Sequence, residues 1–262
     1  MISVCMATYN GGKYIKEQVD SILNELGATD ELIISDDGST DHTISILESY
    51  KDSRIKILRH DKVPQKYMYG YTASNFENAL RYAKGDYIFL SDQDDVWVKG
   101  KVEAMVAALQ TAAWVLSDCS YVDSNLQVLV PSKFEFERVK IGVWRNLLYK
   151  CGYLGSSMAF RREVLKYALP FPKNVPHDMW IGLTAPKVGK LVLLPQSTML
   201  YRRHDHNVSA TNNNLLNKQQ QGAATFQPNN HSLRFKLTYR AIALWAYLRF
   251  CFSCTSKVDR KS

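Results

Sequence analysis

The chain has 262 residues, 46% hydrophobic and 22% charged, which is the balance of a globular protein with one large domain or two small ones. Thirteen Gly and eight Pro exclude a collagen-like or linker-dominated chain, and no uncharged apolar run reaches the length of about 18 residues that a membrane-spanning helix needs. The net charge is +8, but from His231 onward seven basic residues face Asp259 alone, so the body is nearly neutral; a protein coated in positive charge for nucleic acid is excluded, and the basic tail reads either as a patch for an anionic surface, such as a membrane, or as a solvated helix face.

In chain order, Ile2 to Thr8 reads as a short buried strand ending in the turn signal Tyr9-Asn10-Gly11-Gly12. Tyr14 to Leu26 has helical apolar spacing, Glu31 to Ser35 is strand-like, and Asp36-Asp37-Gly38-Ser39-Thr40-Asp41 turns into a helix running to about Tyr50, with Thr40 or Asp41 as its cap. Arg54 to Leu58 reads as a strand, 60–71 as a loop, Thr72 to Lys84 as a helix, Asp86 to Leu90 as a strand and Lys99 to Gln110 as a helix. A strand follows at Trp114 to Ser117. Alternation of this kind implies parallel strands with crossover helices, and ligands bind beyond the carboxyl ends of such strands. The polar clusters at 8–12, 36–41 and 92–95 all fall there.

The second half is less regular. Strands are expected at Leu126 to Val130, Leu154 to Arg161, Leu191 to Leu194 and Thr198 to Tyr201, and helices at Val143 to Tyr149, His177 to Val188 and Leu233 to Phe252. Residues 207–230 are rich in Asn and Gln and read as a loop or linker. Five cysteines, an odd number in a chain this long, argue against a disulfide framework; Cys251-x-x-Cys254 has metal-ligand spacing but no second close pair. Met1 to Cys5 has no basic n-region, so a cytoplasmic location is expected.

The common nucleotide fingerprints are missing: no G-x-G-x-x-G follows the first strand and no G-x-x-x-x-G-K-[ST] occurs. The sheet edge is acidic instead, with Asp36, Asp37, Asp92, Asp94 and Asp95. Clustered carboxylates repel one another, and a hard divalent cation relieves that repulsion while leaving coordination positions open to phosphate oxygens. The cluster therefore reads as a metal–diphosphate site, against the plainer reading of Asp92 and Asp94 as loop or helix caps.

The ordered set Ala7-Thr8-Tyr9-Asn10, Ser35-Asp36-Asp37-Gly38-Ser39-Thr40-Asp41, Gly85 through Trp97 with Ser91-Asp92-Gln93-Asp94-Asp95-Val96-Trp97, Gly155 through Arg162, His177-Asp178-Met179-Trp180 and Tyr201-Arg202-Arg203-His204 resembles the family 2 glycosyltransferases, and within them a rhamnosyltransferase-like branch. The resemblance covers about residues 1–210. It implies a GT-A fold: an α/β architecture with a Rossmann-like, mostly parallel central sheet flanked by helices, here with a C-terminal helical extension. It implies a nucleotide-sugar-binding half at 1–118, an acceptor-binding half at 119–210, and a linker with a basic aromatic helix at 211–262. Thr8, Tyr9, Asn10, Asp36, Asp37, Asp92 and Gln93 would bind the nucleotide sugar, with Asp37 accepting the imide N–H of uracil or thymine in preference to Asp36.

Asp94, with Asp92 and His204, would hold Mn²⁺ or Mg²⁺, His206 being the rival histidine. Asp178 would be the catalytic base, with His177 standing where many relatives carry a carboxylate. Arg202 or Arg203 reads as a diphosphate clamp or as a surface residue. The implied activity is inverting transfer of a sugar, L-rhamnose among the candidates, from a UDP- or dTDP-sugar to a saccharide or lipid-linked saccharide in bacterial surface polysaccharide synthesis. The implied location is cytoplasmic, with membrane-surface contact through the C-terminal helix and no nucleic-acid partner. The reading from a different class is a non-catalytic nucleotide-sugar or carbohydrate binding module.

Overall fold

The structure, a computed structural model, describes residues 1–62, 64–65, 67–204 and 233–258, with side chains over the same ranges except 68, 233–239 and 254–258. Among these residues the strands are Ile2–Thr8 (β1), Glu31–Asp36 (β2), Ile55–Arg59 (β3), Tyr87–Ser91 (β4), Val96–Trp97 (β5), Trp114–Val122 (β6), Val128–Val130 (β7), Met158–Arg161 (β8) and Leu191–Arg202 (β9). The α-helices are Ile15–Leu23 (α1), Thr43–Ser49 (α2), Met68–Tyr82 (α3), Lys101–Leu109 (α4), Lys133–Glu137 (α5), Val143–Leu148 (α6), Leu165–Ala168 (α7), His177–Thr184 (α8) and Leu233–Val258 (α9).

The strands form one sheet in the order β3-β2-β1-β4-β8-β6-β9-β5, with β7 paired to β6. Its first four strands are parallel. Beyond them β8 lies antiparallel to both β4 and β6, while β6 and β9 are parallel to each other. The sheet is therefore mixed rather than mostly parallel. A parallel partner must be reached through a crossover, and β8 instead enters between β4 and β6 from the opposite end. The expected boundary at 118 falls inside β6.

Both faces of the sheet are covered, which is why its central strands read as near-continuous apolar runs. Alternate residues serve opposite layers, as a period of two requires. Cys5, Ile33, Ile88 and Leu90 pack with Phe76, Leu80, Trp114, Phe160 and Trp180 on the side of α3 and α8. Val4, Met6, Leu32, Ile34 and Phe89 pack with Ile15, Val19, Ile22, Met105 and Leu109 on the side of α1 and α4.

Several local expectations change; the strand expected at Trp114 to Ser117 runs on to Val122, the strand expected from Leu126 starts at Val128, and the helix expected to reach Val188 ends at Thr184. The helix expected from Thr72 begins at Met68, because the first turn accommodates Gly70 and absorbs much of the aromatic stretch that reads as a loop. The two strands expected around Pro195 are one, β9, with the break taken up by register shifts against β6 at Ser117/Asp118 and Asp118/Ser120. The strand expected from Leu154 opens as a 3₁₀ turn at Gly155–Ser157 and becomes extended only at Met158. Residues 207–230 lie outside the described residues. No helix among those described is long and apolar enough to cross a membrane.

Candidate active site

The carboxyl ends of β2, β1 and β4 are adjacent, so parallel pairing brings the three polar turns to one edge. The turn after β2 is built by Asp36. Its Oδ2 accepts the backbone N–H groups of Gly38 and Ser39 at 2.9 and 2.8 Å, and its Oδ1 accepts the hydroxyls of Ser39 and Thr8 at 2.5 and 3.1 Å. Four donors take up this buried carboxylate, and Gly38 supplies the positive φ of 79° that the turn needs. Asn10 and Gln93 do similar work after β1. Asn10, itself at φ 49°, accepts the Thr40 N–H at 2.8 Å, while Gln93 Oε1 accepts the Tyr9 N–H at 2.8 Å and Gln93 Nε2 donates to Tyr9 O at 3.1 Å. The Tyr9 ring is exposed, with Lys62 Nζ 3.1 Å from its centroid.

Asp37 is differently placed. It is buried, its Oδ1 lies 2.5 Å from His60 Nδ1, and His60 Nε2 lies 3.1 Å from the Ser74 hydroxyl. Burial raises its pKa above the ordinary carboxylate value, outweighing the opposing pull of His60.

Beside this corner, the loop after β4 concentrates negative charge. Asp92 is pushed up to about 7, first by burial and then by Asp94, with Asp178 adding and Lys101 opposing. Asp95 is fully buried; Oδ1 accepts the Arg202 N–H at 3.0 Å, and Oδ2 has no hydrogen-bond partner among the described residues. Burial, then Asp94 and Asp92, hold its pKa well above the ordinary range. Asp94 Oδ2 lies 2.8 Å from His204 Nε2, and the His204 ring stands 4.9 Å from that of Tyr14. Strand β9 thus returns a histidine from 110 residues away to the acidic loop. His206 lies outside the described residues.

Asp178 sits in the first turn of α8 and accepts the N–H of Met179 at 2.7 Å. It is near enough to raise Asp92. His177 faces the other way: it is buried, stacks on Phe76 with centroids 4.2 Å apart, and fills the space that a Cβ at Gly155 would need, 2.6 Å from its Nε2. Burial lowers its pKa, so it is a neutral packing residue in a slot unsuited to a carboxylate.

Arg202 and Arg203 are both buried, not on the surface. Arg202 donates to Asp94 O and Ser124 O, each at 2.8 Å, and pairs with Glu17 while lying over the Tyr14 ring. Arg203 lies over the rings of Tyr121 and Tyr201. Sequence reasoning did not single out His60 or Lys62, nor Lys101, which is fully buried and donates to Ser156 O at 2.9 Å with its pKa lowered by burial to about 8. Lys101 had a signal: it shares the i, i+4, i+8 spacing of the buried Met105 and Leu109.

Among the described residues no group of three or more His, Cys, Asp or Glu side chains stands ready to enclose a metal. Asp94 and His204 nevertheless meet as a carboxylate–imidazole pair, and the neighbouring Asp92 and Asp95 outnumber Lys101, the buried cation that opposes them. That donor set fits a cation that completes its shell with phosphate oxygens.

The family model for Glycosyl transferase family 2 matches residues 3–168. Among curated proteins, the chain is 26% identical over 187 residues to the UDP-Glc:alpha-D-GlcNAc-diphosphoundecaprenol beta-1,3-glucosyltransferase WfgD of Escherichia coli, covering 70% of this chain and 69% of that one. It is 28% identical over 221 residues to the dTDP-rhamnosyl transferase RfbG of Shigella flexneri, covering 79% and 74%. Among solved structures, S. aureus TarS 1-349 in complex with UDP-GlcNAc superposes with TM-score 0.60 at 21% identity over 86% of this chain, which spans 61% of that one. The mannosyltransferase PcManGT from Pyrobaculum calidifontis, in complex with GDP-Man and Mn2+, superposes with TM-score 0.60 at 18% identity over 100% of this chain and 75% of that one. The shared fold is GT-A.

Proposed function

The chain belongs to glycosyl transferase family 2, and from that premise we propose that it is a metal-dependent, inverting enzyme of bacterial surface polysaccharide synthesis. It would move a sugar, L-rhamnose or a hexose, from a dTDP- or UDP-linked donor to a hydroxyl of a saccharide or lipid-linked saccharide, with its C-terminal helix against a membrane surface. One observation carries the reading: a prebuilt turn holding Asp37 adjoins an acidic loop in which Asp92 feels both Asp94 and Asp178. The relatives named for UDP-Glc and dTDP-rhamnosyl transfer, and the neighbours holding UDP-GlcNAc or GDP-Man, support a nucleotide-sugar donor.

In this mechanism Thr8 and Tyr9 border the base, and Asn10 and Gln93 fix the turn that presents them. Asp37 is oriented through Oδ1 by His60, so Oδ2 is the atom left to accept one imide N–H. Asp94 and His204 would hold Mn²⁺ or Mg²⁺, with Asp92 beside them; when bound, the cation takes up negative charge developing on the departing diphosphate. Asp178 accepts the proton of the acceptor hydroxyl as its oxygen bonds to the anomeric carbon and the bond from that carbon to the phosphate oxygen breaks. A single displacement inverts the centre, giving an α-linkage from a β-L-rhamnosyl donor and a β-linkage from an α-hexosyl donor.

Asp178→Asn separates this reading from a binding module. The variant is expected to lose transfer by about 10²- to 10⁴-fold while keeping Mn²⁺-dependent UDP or dTDP binding in a thermal-shift panel of nucleotide sugars. Unchanged turnover would refute Asp178 as the base, and a parent protein that no nucleotide sugar stabilises would refute the function.

A further inference from the structure

Residues 138–152 and 233–258 together hold nine of the 33 Lys and Arg and none of the 25 Asp and Glu, so the rest of the chain carries 24 basic residues against 25 acidic. The whole positive excess belongs to these two stretches, and the fold puts them side by side. Helix α9 packs on α6: Trp144 meets Tyr247 edge-on with centroids 6.0 Å apart, and Arg240 Nη1 donates to Leu147 O at 3.4 Å. Ala243, Leu244 and Phe250 face the core. At helical spacing, 245, 248, 249 and 252 then fall on one outward stripe, and Trp245, Leu248 and Phe252 are indeed exposed there, Trp245 by 61%. On and just after α6, Trp144, Leu148 and Tyr149 are exposed as well, by 57%, 55% and 71%. Guanidinium groups flank the rings, Arg145 at 5.1 Å from Tyr149 and Arg249 at 4.5 Å from Trp245.

We propose that α6 and α9 form a single docking face for the surface of an anionic lipid bilayer. Exposed Trp and Tyr rings amid Lys and Arg, with no carboxylate in either stretch, match the headgroup zone, where rings settle at the apolar boundary and cations reach phosphates. A second copy of the chain is a poor occupant, because a symmetric contact would set this basic face against itself. Behind the face, the core side of α9 packs on α8, the helix of Asp178, through Trp180 and Phe250, whose centroids are 5.8 Å apart. The docking face rests on the membrane contact proposed above for α9, which it extends to α6 and to anionic lipid, and it does not need the catalytic reading; a lipid-linked acceptor held at this surface would lie near the helix that carries Asp178.

The test is co-flotation of the full chain with vesicles of phosphatidylcholine alone or with about a third phosphatidylglycerol. Binding is expected to rise about tenfold on the anionic vesicles and to fall as salt is raised. The pairs Trp144→Ser/Trp245→Ser and Arg145→Gln/Arg249→Gln are each expected to reduce anionic binding about tenfold. Trp245 and Arg249 are exposed, but Arg145 is half-buried and Trp144 also packs on Tyr247, so the single changes Trp245→Ser and Arg249→Gln accompany the pairs; for these the thermal midpoint and UDP binding in solution should match the parent while anionic binding still falls. Equal flotation with neutral vesicles, or variants that float like the parent, would overturn the proposal, as would a dimer in the parent that the Trp pair converts to monomer. Strong anionic flotation of a parent that binds no nucleotide would uphold the docking face and remove the function instead.

Discussion

Two corners of one sheet edge are made in opposite ways. After β1 and β2, polar groups are saturated except at Asp37 Oδ2: Asp36 has four donors, and Gln93 meets both the N–H and the C=O of Tyr9. After β4, carboxylates crowd together, Asp95 Oδ2 has no partner among the described residues, and Asp92 and Asp95 are both raised. The first corner is finished by its own hydrogen bonds and suits recognition by fixed geometry. The second is short of positive charge and suits a ligand that brings some.

The contrast can be broken by exchanging what each corner lacks. Asp94→Asn should have the largest effect, a fall in transfer of about 10²-fold or more and loss of the Mn²⁺-dependent thermal shift, while metal-free binding of the nucleoside is kept. Equal loss of both would merge the corners. Asp36→Ala should act on the fold, lowering stability by roughly 2–3 kcal/mol in denaturant unfolding because buried donors lose a charged acceptor. A smaller effect concerns pH. Because Asp92 is raised to about 7, the native protein binds more protons than the unfolded chain between the ordinary carboxylate range and that value. Metal-free stability should therefore decline as pH rises through that window, and Asp92→Asn should flatten the slope. The mildest change, His60→Leu, frees the Asp37 carboxylate and should weaken UDP or dTDP binding about tenfold by calorimetry, with little change in metal dependence.

Much of the fold was legible because β1, β2 and β4 are buried on both faces, and short apolar runs ending in turn residues signal that situation directly. The antiparallel entry of β8 was not, since nothing local to Met158–Arg161 says which neighbour it will have. Pro195 looked like a strand break because the bulge that absorbs it depends on the register of β6. The acidic residues of the candidate site stood out as clusters, and topology alone brought them to one edge. His60 reaches Asp37 across 23 residues and Lys101 reaches Ser156 across 55, distances at which local pattern carries no pairing information. The neutral role of His177 was equally hidden, as it depends on Phe76 and on the absence of a Cβ at Gly155.

Arg202 ties several segments together: its side chain joins Glu17 on α1, the main chain at Asp94 and Ser124, and the ring of Tyr14. Glu17 is half exposed, on the outside of the molecule. A change there would be transmitted like a turn of a set-screw to the peptide that carries Asp94. Variation on the exterior of the first helix is thus expected to bear on the geometry of the acidic loop, alongside variation within the loop itself.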